Sequence, residues 1–182
     1  MDKTHNLPTL PSAKYINING NTSNYVVNTI DITVKEYLPI IETLHITNTA
    51  FSDSLLDFRN CNRLNTIDLQ GSFGIKNIIF PENNRLSAIY LPNNLKQISL
   101  GAVPNLSIFY IPDGTKFTSI SLDCSNLNKN FDYIDLLNNY VDFGNLTSFV
   151  LSKTPSEGLI ITEDIANKLA EIQINSKIQK LI

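Results

Sequence analysis

The sequence predicts a mostly β repeat solenoid: short parallel strands stacked into two sheets, with one C-terminal helix capping the stack. Three observations carry that expectation. The first is a pattern, apolar-x-x-apolar-x-apolar, that recurs as Leu64/Ile67/Leu69, Ile75/Ile78/Phe80, Leu86/Ile89/Leu91, Leu95/Ile98/Leu100, Leu106/Phe109/Ile111 and Phe117/Ile120/Leu122. The second is its spacing. First positions fall at Leu64, Ile75, Leu86, Leu95, Leu106 and Phe117, nearly evenly, which is a repeat period and not a helix period. Two copies make a unit of roughly 20–22 residues, and a unit that short buries its apolar face only by stacking on neighbours that share one continuous core. The third is punctuation: Phe80-Pro81, Leu91-Pro92 and Ile111-Pro112 each end a copy and run into turn residues. Proline lacks the N–H that a strand ladder needs and suits the second position of a turn, so each strand is cut to about five residues.

All 182 residues read as one domain, with a cap and degenerate coil over 1–40, repeats over 41–151, and a cap helix and tail over 152–182. The lead carries Pro8 and Pro11, then two weaker copies, Ala13/Ile16/Ile18 and Val27/Ile30/Ile32, joined by the turn-rich run 19–24. Terminal repeats are expected to be atypical because one face lacks a neighbour. Ile41/Leu44/Ile46 opens the regular part. Phe58, Cys61 and Leu64 then follow at a regular short step, and the cysteine position recurs as Asn83, Val103 and Cys124, which predicts a buried column under the turn that leads into each repeat. After Leu122 the spacing loosens to Phe131/Ile134/Leu136 and Leu146/Phe149/Leu151. From Thr162 the period changes: Ile165, Leu169 and Ile172 fall at helical spacing, and Glu163 and Asp164 occupy the first turn. An N-capped amphipathic helix closing the core is expected there, followed by a short edge strand over 177–182 that docks on something.

Composition bounds the function. Charged residues are 17% of the chain, the formal net charge is -3 and the pI is near 5.3. Lys and Arg nowhere cluster as a phosphate-neutralising surface requires, so nucleic acid is not an expected partner. The N-terminus lacks the apolar core of a signal peptide and no run of about 18 apolar residues occurs, so membrane insertion is not expected either. On that reading a virion or cytoplasmic setting is favoured over secretion.

The stretch Leu86-Ser87-Ala88-Ile89-Tyr90-Leu91-Pro92-Asn93-Asn94-Leu95-Lys96-Gln97-Ile98, together with Phe58-Arg59-Asn60-Cys61-Asn62-Arg63-Leu64 as a Phe-x-x-Cys-x-x-Leu step, resembles the leucine-rich repeats of the BspA-like branch. The resemblance covers residues 41–125 well and 126–151 loosely. It implies parallel strands in two sheets and a role in binding or adhesion.

Chemistry has little to build with. In the stacked arrangement Cys61 and Cys124 fall three coils apart, about 14 Å at 4.8 Å per strand, beyond the roughly 7 Å that a disulfide spans. Both are expected as core thiols, and no metal or cofactor motif is present. The outward position between the last two apolar residues gives His45, Asp68, Tyr90, Tyr110 and Asp135 on alternate copies, and Ile79, Ser99, Ser121 and Val150 on the others, flanked by Asn77, Gln97, Ser119 and Ser148. The first column is the expected binding surface, with Tyr90, Tyr110 and Tyr133 as aromatic anchors and His45 and Asp68 beside them, because tyrosine brings contact area at small entropic cost. The competing explanation is a ladder that only stabilises its own strands. His45 beside Asp68 is the one pair that suits acid–base work, and Asp68 and Asp135, about 14 Å apart on this spacing, stand too far apart for a glycosidase pair. The expectation is a non-catalytic interaction or scaffold protein, a structural subunit of a larger assembly such as a virion, with protein partners. Two alternatives remain: a bacterial surface adhesin whose leader has been removed, which would take a glycan or other ligand, and a solenoid carbohydrate-active enzyme.

Overall fold

The computed structural model describes residues 3–5, 14–20, 25–27, 40–51, 54–80, 82, 85–123, 133–152 and 162–174. Among them the fold is mostly β. The strands are β1 (Lys3–His5), β2 (Tyr15–Asn19), β3 (Tyr25–Val27), β4 (Thr43–Thr47), β5 (Ala50–Phe51), β6 (Leu55–Asp57), β7 (Thr66–Asp68), β8 (Asn77–Phe80), β9 (Ala88–Tyr90), β10 (Gln97–Leu100), β11 (Ile108–Tyr110), β12 (Ser119–Asp123) and β13 (Ser148–Ser152). Two α-helices, α1 (Tyr133–Tyr140) and α2 (Glu163–Ile174), and a short 3-10 turn at Phe143–Asn145 complete the described elements.

Every pairing among the described strands is parallel. Sheet I has the order β11-β9-β7-β4-β2 and sheet II the order β13-β12-β10-β8-β6, and from β6 to β12 successive strands alternate between them. The middle residue of each apolar triplet sets the register. In sheet I, Leu44, Ile67, Ile89 and Phe109 pair in line, each rung two copies of the pattern after the last. In sheet II the line is Leu56, Ile78, Ile98, Ile120 and Phe149, evenly spaced until the wider final step that accommodates α1. A one-residue slip would turn every apolar side chain to solvent, so the pattern fixes this alignment. The triplets from Leu64 to Leu122 are buried, apart from the half-buried Phe109, and Phe58 stacks on Phe80 with ring centroids 5.7 Å apart.

A backbone ledge starts each strand. In sheet I the carbonyls of Lys14, Glu42, Asn65 and Ser87 each accept two N–H groups from the coil above: Glu42 and Thr43, Asn65 and Thr66, Ser87 and Ala88, Ser107 and Ile108. In sheet II the carbonyls of Ser54, Lys76 and Lys96 do the same. Each rung is thereby tied to the next before the ladder proper begins. Strands β8, β9 and β11 end at Phe80, Tyr90 and Tyr110, where the proline steps place the breaks, although all three are shorter than the pattern suggests. The column under the turns is present as well: Phe58, Cys61, Leu64, Val103 and Leu106 are buried, and the N–H of Cys61 donates to the Phe58 carbonyl at 2.9 Å. Asn83 and Cys124 lie outside the described residues.

Three departures from the sequence reading have physical reasons. There is a third sheet, β1-β3-β5, which Ala50 extends by a parallel bridge to Phe73. It includes Lys3–His5, within the stretch that the prolines mark as a lead. It forms where the corner between sheets I and II is long, from Leu69 to Ile75, and its last partner is Phe73, since the next such corner, from Leu91 to Leu95, is shorter. Second, Phe131/Ile134/Leu136 does not start a strand: residues 133–140 are helical. Adjacent Leu136 and Leu137 are both buried, which a helix allows and one face of a strand does not. Third, the C-terminal helix is accordingly the second of the two described helices. It spans Glu163–Ile174, and the N–H of Ala166 donates to the Thr162 carbonyl at 3.0 Å. The side chains of Ile165, Leu169 and Ile172, and the expected edge strand over 177–182, lie outside the described residues, as do Ile30 and Ile32.

Candidate binding face

Side chains alternate across a strand, so the residue beside each buried middle position of sheet I faces outward. Register then aligns Asn17, His45, Asp68, Tyr90 and Tyr110 in one column. The Tyr90 and Tyr110 rings are 6.2 Å apart between centroids, tilted by 41°. His45 Nδ1 lies 3.9 Å from Asp68 Oδ2. Asp68 is also occupied by its own chain, since its Oδ1 accepts the Gln70 N–H at 3.0 Å and so shapes the turn that leaves β7. A parallel column, Tyr15, Thr43, Thr66, Ala88 and Ile108, runs along the strand starts. The outer face is richest in apolar surface at β11, where Tyr110 is 45% and Ile108 is 44% exposed, and Tyr15 is 69% exposed on β2. His45, Asp68, Tyr90 and Tyr110, all expected at the site, thus share one column.

Tyr133 does not join them. It begins α1, and Asp135 lies in the same first turn, because the chain is helical where the sheet I pattern required a strand. Asp135 instead accepts from Asn139 Nδ2 at 2.5 Å, one helical turn away. The carboxylate spacing expected between Asp68 and Asp135 loses its basis. On α1, Tyr140 has its hydroxyl pushed above the usual tyrosine range by burial, with Asp135, Asp113 and Tyr110 adding to the effect.

Sheet II presents the expected contrasting face. Asn77, Gln97, Ser119 and Ser148 are in register, as are Ile79, Ser99, Ser121 and Val150. At its β6 edge Arg59 clamps Asp57 through its side chain, and this hydrogen bond holds the Asp57 carboxyl below the usual carboxylate range despite partial burial.

Sequence reasoning missed a polar groove of about 500 Å³ at the start of sheet I, lined by Glu42, Arg63, Asn65, Arg85, Ser87 and Asn105. Its signal was present one position before the first apolar residue of alternate copies, where Arg63, Arg85 and Asn105 precede Leu64, Leu86 and Leu106. That offset lies outside the apolar triplet and carries no burial pattern. Among the described residues no group of three or more His, Cys, Asp or Glu is placed to hold a metal. No described helix is long and apolar enough to cross a membrane.

Cys61 is buried, and that burial, reinforced by the Asp57 charge, pushes its thiol up from 9.0 to about 12. The thiolate is the reactive form. In a Cys124→Ser variant, Cys61 should therefore be silent to a thiol reagent at pH 8 in the native protein and label fully in denaturant. Because the folded thiol holds its proton longer than the unfolded one, its contribution to stability is complete below pH 9.0 and is lost as pH rises toward 12. Native-state labelling as fast as that of a free thiol would show that this column is open.

Among known proteins, no family model, no curated protein and no solved structure matches the chain.

Proposed function

We propose that this chain is a non-catalytic, leucine-rich-repeat-like solenoid that recognises a protein partner through the outer face of sheet I, as a structural subunit of a larger assembly such as a virus particle. The alternation of parallel strands between two sheets, with each rung displaced by two copies of one pattern, supports the solenoid. The observation that carries the binding reading is the register, which sets Tyr90 and Tyr110 side by side on the edge-most pair of sheet I, with exposed Ile108 beside them. Tyrosine is among the residues enriched at the hot spots of protein interfaces. An acid–base role for His45 and Asp68 has less support, because the carboxylate is already engaged by the turn.

Co-purification of a tagged chain with a protein at fixed stoichiometry is the expected result. Tyr90→Ala with Tyr110→Ala should weaken that association by roughly 2–4 kcal/mol, since truncated anchors cost about 2 kcal/mol each. The melting temperature should stay near wild type because both side chains point away from the core. Gln97→Ala with Ser119→Ala, on sheet II, should retain the partner. A double tyrosine variant that holds its partner as tightly as wild type reduces the column to a strand ladder. A soluble monomer with glycan affinity would instead favour an adhesin.

A further inference from the structure

The outward columns of sheet I, Asn17/His45/Asp68/Tyr90/Tyr110 and Tyr15/Thr43/Thr66/Ala88/Ile108, contain no lysine or arginine. Asp68, their one carboxylate, is the register partner of Tyr90 and begins about 4.8 Å from it, on the side away from Tyr110. Asp68 Oδ1 accepts the Gln70 N–H, which fixes the carboxylate without neutralising it. Asp113 flanks the tyrosine pair at the other end. It is exposed in the turn that follows β11, three residues past Tyr110. The Tyr140 hydroxyl is pushed up first by burial, then by Asp135, Asp113 and Tyr110, so these groups surround one point where α1 meets the last strand of sheet I. Among the described residues no lysine or arginine reaches ion-pair distance of Asp68 or Asp113. Lys116, the nearest cation to Asp113 along the chain, binds the Asn139 carbonyl instead.

A tyrosine pair with a carboxylate at each end asks for cations. The face of an aromatic ring is its negative side and attracts a guanidinium or ammonium laid over it. Tyr90 and Tyr110, 6.2 Å apart and tilted by 41°, offer two such rings, and exposed Ile108 offers an apolar surface for the stem of a long basic side chain. Arginine suits the position best: its planar fork stacks on a ring and can also bind a carboxylate, and it is enriched at protein interfaces. Asp68 and Tyr110 begin two rungs apart, about 10 Å, and Asp113 lies farther on, so each carboxylate takes its own cation from successive side chains of one extended segment. Complementary charge of this kind selects a partner and steers its approach more than it adds affinity. Accepting sheet I as the partner surface, we propose that it recognises a basic, arginine-bearing segment of the partner protein, with Tyr90 and Tyr110 under the guanidinium groups and Asp68 and Asp113 as their counter-charges.

The test is fluorescence anisotropy with a labelled ten-residue peptide of alternating Arg and Ser, at low salt, against the full chain. Wild type should bind it at least tenfold more tightly than the Gln-Ser counterpart. Asp68→Asn with Asp113→Asn should weaken binding at least tenfold, and each single change three- to fivefold, so that a folding defect in the double variant does not decide the matter. Asparagine at 68 keeps an oxygen for the Gln70 N–H. Tyr90→Leu with Tyr110→Leu should weaken binding at least fivefold. The control removes one charge elsewhere: Glu163→Gln, at the exposed start of α2, should stay within twofold of wild type. Equal binding of the Arg and Gln peptides overturns the proposal, as does a loss in Glu163→Gln equal to that in Asp113→Asn, which would mean diffuse attraction to a chain of net charge -3. Peptide binding that survives the tyrosine change overturns the placement on this face. The co-purified partner separates this inference from the reading beneath it. A partner lost by the tyrosine variant and kept by the double asparagine variant leaves sheet I as the partner surface and overturns the basic segment alone, whereas a partner kept by both removes the surface itself.

Discussion

Ile98→Asp should abolish the cooperative unfolding transition at 25 °C, while Ser99→Asp, the next residue along, should melt within a few degrees of wild type. Ile98 is 3% exposed at the centre of β10, the central strand of sheet II, with Ile78 and Ile120 in register on either side. A carboxylate there has apolar neighbours on both rungs. Its burial costs several kcal/mol or more even if it takes up a proton, against a total stability of about 5–15 kcal/mol for a domain. Ser99 lies on the outer side, between Ile79 and Ser121, where a carboxylate reaches water. Urea denaturation followed by circular dichroism separates the two. Matching transitions would mean that sheet II does not face its core as described.

Gly74→Ala should destabilise the protein by about 3 kcal/mol or more, roughly twice the cost of Gly114→Ala. Both glycines have positive φ, 96° and 76°, so each incurs the left-handed penalty of about 1–2 kcal/mol when a Cβ is added. They differ in what the Cβ meets. At Gly114 nothing lies within 4 Å, whereas at Gly74 it would fall 2.4 Å from the carbonyl oxygen of Phe51, a backbone atom of the neighbouring coil. That contact sits at the corner where the third sheet ends, so relieving it must move either β5 or the corner itself. At roughly 2–4 °C per kcal/mol for a domain of this size, the two variants should differ by several degrees in melting temperature. Equal melting points would mean that the corner yields freely.

The core was legible because burial repeats: Ile67, Ile89, Ile78, Ile98 and Ile120 sit where a single short pattern puts them, and the register of both outer faces follows from it. What was not legible either breaks the repeat or lies outside it. The corner strand β5 covers only Ala50–Phe51 and has no period to read. Ile134 and Leu136, on helix α1, belong to a triplet that imitates the strand pattern, and only the adjacent pair Leu136-Leu137, with Tyr140 one turn on, betrays a helical face. Four members of the candidate column were found because they alternate with buried residues, and Tyr133 was misplaced by the same imitation. The groove at the start of sheet I was overlooked because an exposed side chain before a turn obeys no hydrophobic rule, and its lining comes together only when adjacent strands are aligned.

The absence of any antiparallel pair among the described strands bears on how the protein is made. A hairpin can close while its second strand is still leaving the ribosome, since its loop is only a few residues. Here even the shortest closures between paired rungs, Ile78 to Ile98 and Ile89 to Phe109, span a whole unit of the repeat, and the longest in sheet II, Ile120 to Phe149, also takes in a helix. Loop-closure entropy rises slowly with length, so these closures cost nearly the same, but each must be met before its contacts are gained. The described strands therefore give the nascent chain no local β nucleus. Once Phe80 has emerged from the ribosome, one complete rung of each main sheet, Leu44 with Ile67 and Leu56 with Ile78, is free to pair, and later strands add to an existing template. Until Phe149 has emerged, the growing end of sheet II is β12, whose outer edge is the one β13 will take, and during that interval a chaperone, or a second nascent copy, can compete for it.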